Sequence, residues 1–154
     1  MKKPVNANVT LASAHDLPDL RRVIHHAHLR TKGLEDCRWL VKAVVNDHIV
    51  GAAAIEVLSG HAFFRSFAVE RAFRGQHIGS AIWRLCLQLC READIENMYF
   101  ITAFYNVPTF EHYGCQIIQL SEFPPEIRTH WQVASPLFKL ARRWVRCMQI
   151  RVGE

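Results

Sequence analysis

The chain has 154 residues, half of them apolar and 21% charged, and its 19 Lys and Arg against 14 Asp and Glu leave a net charge of +5. That apolar content excludes a disordered tail protein, and 7 Gly with 6 Pro exclude a fibrous or low-complexity chain. The length suits one hydrophobic core rather than two, and the basic balance favours an anionic ligand or partner without separating a phosphate-bearing cofactor from nucleic acid.

The basic start, Met1-Lys2-Lys3-Pro4, is not followed by the apolar run of a secretory signal, and no stretch approaches the roughly 20 apolar residues of a membrane span. A soluble cytoplasmic protein with no membrane partner is expected. Five cysteines (Cys37, Cys86, Cys90, Cys115 and Cys147) are an odd number without Cys-x-x-Cys spacing, so they read as reduced, mostly buried thiols.

Asn8 to Leu11 is a first strand, and Asp16 offers an N-cap to a helix with Leu17, Leu20, Val23, Ile24 and Ala27 on one face. Trp39 to Val45, the turn Asn46-Asp47-His48, and Ile49 to Leu58 read as a hairpin. After Ser59-Gly60, Ala62 to Val69 forms the next strand. Strand alternation there would send Arg65 and Ser66 to opposite faces. From Gly79 to Ala93 the period changes, with Ile82, Leu85, Cys86, Leu89, Cys90 and Ala93 on one helical face. Met98 to Thr102 is a buried strand, so the helix before it completes a βαβ unit with parallel strands. Pro108 to Tyr113 fits a short helix that Gly114 stops before the strand Cys115 to Leu120. Beyond Pro124-Pro125, Leu137 to Met148 reads as a basic amphipathic helix with Lys139, Arg142, Arg143 and Arg146 on its polar side. Val145, Cys147 and Gln149-Ile150 also tolerate a final strand.

The chemistry is concentrated between the fourth strand and the central helix, in Glu70-Arg71-Ala72-Phe73-Arg74-Gly75-Gln76-His77-Ile78-Gly79-Ser80. A turn that opens a helix presents backbone N–H groups at the positive end of the helix dipole, where a phosphate binds without any side chain. Gly75 and Gly79 let the main chain approach such a ligand, and Arg74 adds formal charge. The same glycines also suit an ordinary strand-to-helix turn.

Phe67-Ala68-Val69 followed by Arg74-Gly75-Gln76-His77-Ile78-Gly79-Ser80 resembles the acetyl-CoA loop of the GCN5-related N-acetyltransferase (GNAT) superfamily, Arg/Gln-x-x-Gly-x-Gly/Ala after a strand ending in Ala-Val. The order of elements over about residues 8 to 120 matches as well. His77 departs from the pattern, standing where the first Gly is usual. The resemblance implies an α/β (α+β) GNAT fold: a mixed, mostly antiparallel sheet flanked by helices, with a parallel pair splayed at the cofactor wedge. It makes residues 1–154 a single GNAT domain, with a core of about 8–120 and a basic C-terminal extension of about 121–154.

By the same resemblance acetyl-CoA is the co-substrate. Phe67 and Val69 hold its pantetheine arm through their backbones, and Gln76, His77, Ile78, Gly79 and Ser80 hold the pyrophosphate with Arg74 and Gly75. A neutral amine attacks the thioester directly, with the Val69 N–H stabilising the oxyanion and no metal required. Glu56 and Glu70 are the candidates for removing the amine proton, and each also reads as an ordinary solvated carboxylate. The family's acid is a Tyr at the position of Phe110, and its Asn falls on Ala103, with Asn106 out of register. Tyr105 is the substitute acid, and Tyr113 reads as a packing residue.

Phe64-Arg65-Ser66-Phe67-Ala68-Val69, Tyr99-Phe100-Ile101-Thr102 and Pro125-Glu126-Ile127 are further similar to the arsenic-resistance-associated and amino-acid N-acetyltransferase branch. That likeness implies a small amino-acid-like amine as substrate and Arg65 as its carboxylate partner, against an Arg that serves only packing.

Rival readings are a silent CoA-binding module, suggested by His77 and Phe110, and a nucleic-acid or partner-binding protein using Lys139, Arg142, Arg143, Arg146 and Arg151. Nucleic acid is not expected, since no aromatic interleaving accompanies the charges. A homodimer that covers this face remains open. His25, His26 and His28 lack a third ligand placed by spacing, so no metal is expected. Cys86 and Cys90 share the core face of their helix and read as packing.

Overall fold

The computed structural model describes residues 5–153. Its regular elements are β1 (Asn8–Leu11), α1 (Leu17–His26), β2 (Trp39–Val45), β3 (His48–Leu58), β4 (His61–Val69), α2 (Ile78–Glu92), β5 (Asn97–Ala103), α3 (Val107–His112), β6 (Gln116–Ile118), α4 (Pro125–Arg128), α5 (Trp131–Ala134), α6 (Pro136–Ala141) and β7 (Val145–Arg151). The strands hydrogen-bond in the order β1-β2-β3-β4-β5-β7-β6 as a mixed, mostly antiparallel sheet in which β4 and β5 are parallel neighbours. The chain divides into two compact units, residues 1–56 with 64–89, and residues 57–63 with 90–154. Among the described residues no helix is long and apolar enough to cross a membrane.

In the first unit β2 pairs antiparallel with β1 and with β3. The β2–β3 connection is tight because Asn46 (φ 49°) and Asp47 (φ 64°) both accept the left-handed conformation that a two-residue hairpin turn requires. Leu20, Val23 and Ile24 of α1 bury against Ile49, Ala52, Ala54 and Ala68. Small residues at these strand positions let the helix approach closely. Gly51 does the same for α2, since a Cβ there would meet Ile82 Cδ1 at 2.8 Å and Ala43 Cβ at 3.1 Å.

Two local expectations are corrected here. The Asp16 side chain does not cap α1. Its carboxylate reaches back to the Ser13 N–H at 2.9 Å and across to Lys42 Nζ at 3.0 Å, closing the turn that precedes the helix. These contacts, the backbone N–H of Ser13 foremost and Lys42 next, hold the Asp16 carboxyl below its ordinary value.

Arg65 and Ser66 do not part company across β4. Both are buried, Arg65 Nε donates to Ser66 Oγ at 3.1 Å, and both donate to the Arg30 carbonyl, at 3.3 and 3.5 Å. Ser66 has φ 59°, and this irregularity interrupts the alternation that would have separated the two side chains.

In the second unit the parallel β4–β5 ladder consists of Ala62↔Met98 and Phe63↔Tyr99, whereas β5 and β7 pair along their whole lengths, from Asn97↔Arg151 to Ala103↔Val145. β6 joins the outer side of β7 through Gln116↔Gln149 to Ile118↔Cys147, a shorter strand than its sequence suggests. Phe63, Tyr99, Phe123, Ile127, Val133, Phe138 and Cys147 form the core.

The basic helix expected over Leu137 to Met148 is not formed. α6 begins at Pro136, where the Ser135 hydroxyl accepts from the Phe138 N–H at 3.1 Å, and it ends at Ala141. A turn closed by the Trp144 N–H on the Ala141 carbonyl then leads into β7. The backbone of this inner strand must be hydrogen-bonded on both edges, and the ladders to β5 and β6 satisfy it in a way a surface helix would not.

Candidate active site

The turn between β4 and α2 is built by its main chain. Past a 3-10 turn at Arg71–Phe73, Gly75 takes φ 78° and His77 takes φ 62°, and the first bond of α2 runs from the Ala81 N–H to the His77 carbonyl. The residue that replaces the usual glycine therefore adopts the left-handed conformation a glycine would have supplied, at a cost of about 1 kcal/mol. The backbone N–H groups of Ile78 and Gly79 lie ahead of that first bond, at the positive end of a fifteen-residue helix.

The two glycines serve different purposes. A Cβ at Gly75 would meet nothing within 4 Å, so its positive φ is what requires glycine there. At Gly79 a Cβ would lie 3.3 Å from Phe67 Cζ and 3.9 Å from Val69 Cγ2, so this glycine lets the first turn of α2 settle against the end of β4.

The side chains of the turn are mainly structural. Arg74 Nε donates to the Val69 carbonyl at 2.9 Å and ties the turn to the strand it leaves. Gln76 buries its side-chain oxygen without a hydrogen-bond partner among the described residues, an acceptor waiting for a donor. Glu70 is fixed at both ends, its N–H on the Val50 carbonyl at 2.8 Å and its carboxylate 3.0 Å from His26 Nδ1.

Glu56 Oε2 lies 3.5 Å from Arg65 Nη1, and the Arg65 side chain is only 1% exposed. The guanidinium therefore already faces a carboxylate of its own chain, beside the Arg30 carbonyl and Ser66 Oγ. Cys37, within range of both charges, has its thiol pushed up to about 12, by burial first and the Glu56 charge next, with Arg65 opposing. Such a thiol stays protonated and is no nucleophile.

Within the first unit the fold thus brings together Phe67, Val69, Glu70 and the turn from Arg74 to Ser80, with Arg65 buried beside the half-buried Glu56. Tyr105 belongs to the second unit, in the 3-10 turn Phe104–Asn106, where it is 71% exposed and edge-on to Phe104 with ring centroids 5.5 Å apart. Phe110 is buried against Phe100 at 4.6 Å between centroids.

The sequence gives no sign of two partners. His26 pairs with Glu70 across 44 positions, and the Phe67 ring is the surface that Gly79 must clear. His28 lies outside α1 with φ 61°, so His25 and His28 are not neighbours on one helix face. Cys86 and Cys90 are fully buried.

Comparison with known proteins follows the same lines. A search of curated protein sequences finds no match. Among solved structures, an acetyltransferase of the GNAT family from Staphylococcus aureus superposes with a TM-score of 0.76 at 15% identity, covering 96% of this chain and 99% of that one. A Mycobacterium tuberculosis protein in complex with CoA gives 0.78 at 20% identity, covering 94% and 98%. The ribosomal-protein-S18-alanine N-acetyltransferase of Escherichia coli gives 0.72 at 12%, covering 96% and 94%. The model of the acetyltransferase (GNAT) family matches residues 11–114, from the end of β1 to the glycine that ends α3, and the chain belongs to that family.

Proposed function

We propose that this protein is an N-acetyltransferase that moves the acetyl group of acetyl-CoA to the amine of a small, amino-acid-like substrate. The observation that carries the reading is the turn from Arg74 to Ser80. It holds left-handed backbone at Gly75 and His77 and a glycine at the first turn of α2. This is a cradle for a diphosphate made from main-chain amides, and the presence of CoA in the Mycobacterium tuberculosis neighbour supports that choice of ligand.

The thioester of bound acetyl-CoA supplies an activated acetyl carbon. A C–N bond forms to the amine as the C–S bond breaks, the ammonium proton leaves to a base, and the thiolate takes up a proton. Glu70 is the base this reading favours, because His26 orients its carboxylate and allows a proton to pass outward. Glu56 instead stabilises Arg65, which orders the segment before β2 through the Arg30 carbonyl. Tyr105, exposed in its turn, is available as the acid. A thiol whose ordinary pKa is about 8.5 leaves readily enough that the missing Tyr at Phe110 is tolerated.

The test is a pair of measurements on the full chain. Acetyl-CoA should raise the melting temperature whereas an oligonucleotide should not, and an amine panel followed by CoA thiol release should show turnover. Binding without turnover on any amine would leave a silent CoA-binding module. Stabilisation by the oligonucleotide alone would overturn the cofactor reading.

A further inference from the structure

The stretch that fails to form a basic helix builds something else. Because α6 stops at Ala141 and β7 starts at Val145, Arg142 and Arg143 sit in the turn and Arg146 on the strand, and all three line one groove of about 650 Å3. Ile118, Leu120 and Val145 provide apolar surface in it. A smaller cavity of about 280 Å3 shares Leu120 and Arg142 and adds Arg128 and Lys139.

The charges in this groove are held but not neutralised. Arg146 Nη1 donates to the Val145 carbonyl at 2.9 Å and the Arg143 carbonyl at 3.3 Å, and Arg142 Nη1 lies 3.9 Å from Cys147 Sγ. These acceptors are neutral. Among the described residues, none of the three guanidiniums lies within 4 Å of a carboxylate, although the ion pairs elsewhere in the chain do find one. Each guanidinium has five N–H donors, so most remain for a ligand, and their planar forks match a carboxylate. Three like charges around one concavity repel each other unless an anion joins them.

We infer that this groove is a binding site for a small molecule with two carboxylates, which Arg142, Arg143 and Arg146 clamp. The inference stands on the groove alone and does not depend on the acetyltransferase reading.

Calorimetry on the full chain tests it by binding rather than by turnover. Aspartate and glutamate are titrated in the presence of CoA, beside asparagine and glutamine, which lack the second charge. The acids should bind tighter by about tenfold, the scale of one charge-assisted hydrogen bond. R143Q, at an exposed turn position, should lose about that factor, R143K should retain part of it, and R146Q should repeat the loss. CoA affinity should be unchanged in all three.

Equal binding of acids and amides, no loss in R143Q and R146Q, or a parallel fall in CoA affinity would overturn the inference, the last by assigning the groove to the cofactor. So would tight binding of an acidic-N-terminus peptide or an oligonucleotide when the free acids do not bind. If the acids bind but CoA does not, the acetyltransferase reading fails and the anion site stands. If CoA binds and the acids do not, the groove inference fails alone.

Discussion

Two arginine-bearing regions of this chain use the same side chain in opposite ways. In the first unit, Arg65 is spent on the fold, buried beside Glu56. The anion site proposed there uses the main chain, in the turn before α2. In the second unit, Arg142 and Arg146 bond neutral acceptors, and with Arg143 they line a groove in which no carboxylate of the described residues pairs with them. The contrast teaches that a cation's place in a family motif does not reveal whether it binds a ligand. Its counter-charge does.

Stability measurements on single variants sharpen this contrast. Glu56→Ala should cost the most, about 3 kcal/mol in urea unfolding, because it strips the carboxylate from beside a buried guanidinium. Replacing both partners, Glu56→Leu with Arg65→Met, should recover most of that loss, and if it does not the pair is more than charge compensation. Gly79→Val should cost about 2 kcal/mol by forcing branched carbons onto the Phe67 ring, and it should abolish the thermal shift with acetyl-CoA. Stability retained with the shift intact would remove Gly79 from the site.

Arg74→Met should lose about 1 kcal/mol, the value of its bond to the Val69 carbonyl, and should weaken CoA binding only modestly. A large loss of CoA affinity at unchanged stability would return Arg74 to the ligand.

Asp16→Asn should cost up to about 1 kcal/mol at neutral pH. The folded-state pKa of Asp16 lies below its unfolded value, so its contribution is complete above about pH 4 and disappears as the pH falls through the folded value. Wild type and variant should therefore converge in acid, and a constant gap would point to packing. Smallest of all, Arg143→Gln should change stability by less than about 0.5 kcal/mol. A larger loss would mean that this arginine, too, serves the fold.

Most of the architecture was legible because it is written locally. The hairpin turn at Asn46-Asp47, the helical period from Ile82 to Cys90 and the stop at Gly114 each depend on residues within a few positions of one another. The tail allowed two readings, a basic helix and a final strand, for a physical reason. Leu137, Leu140, Ala141 and Trp144 keep helical spacing, but Val145 to Arg151 is claimed by two strands from earlier in the chain, and that pairing outweighs local period.

The candidate site divides in the same way. The turn was singled out by its glycines and by its place between a strand and an amphipathic helix. The link between Glu70 and His26 was invisible, as was the one between Arg65 and the Arg30 carbonyl, because each joins distant segments. The kink at Ser66 that makes the second link possible has no sequence signal, since serine seldom takes a positive φ.

The position of β7 between β5 and β6 has a consequence for biogenesis. Both neighbours leave the ribosome before the strand that joins them, so the nascent chain carries an open edge on Asn97–Ala103 while the α4 to α6 segment is still being made. Such an edge can recruit strands from other chains, and chaperone cover during that interval would protect the yield of folded protein. A nonsense codon ahead of Val145 should accordingly produce insoluble material rather than a smaller working protein.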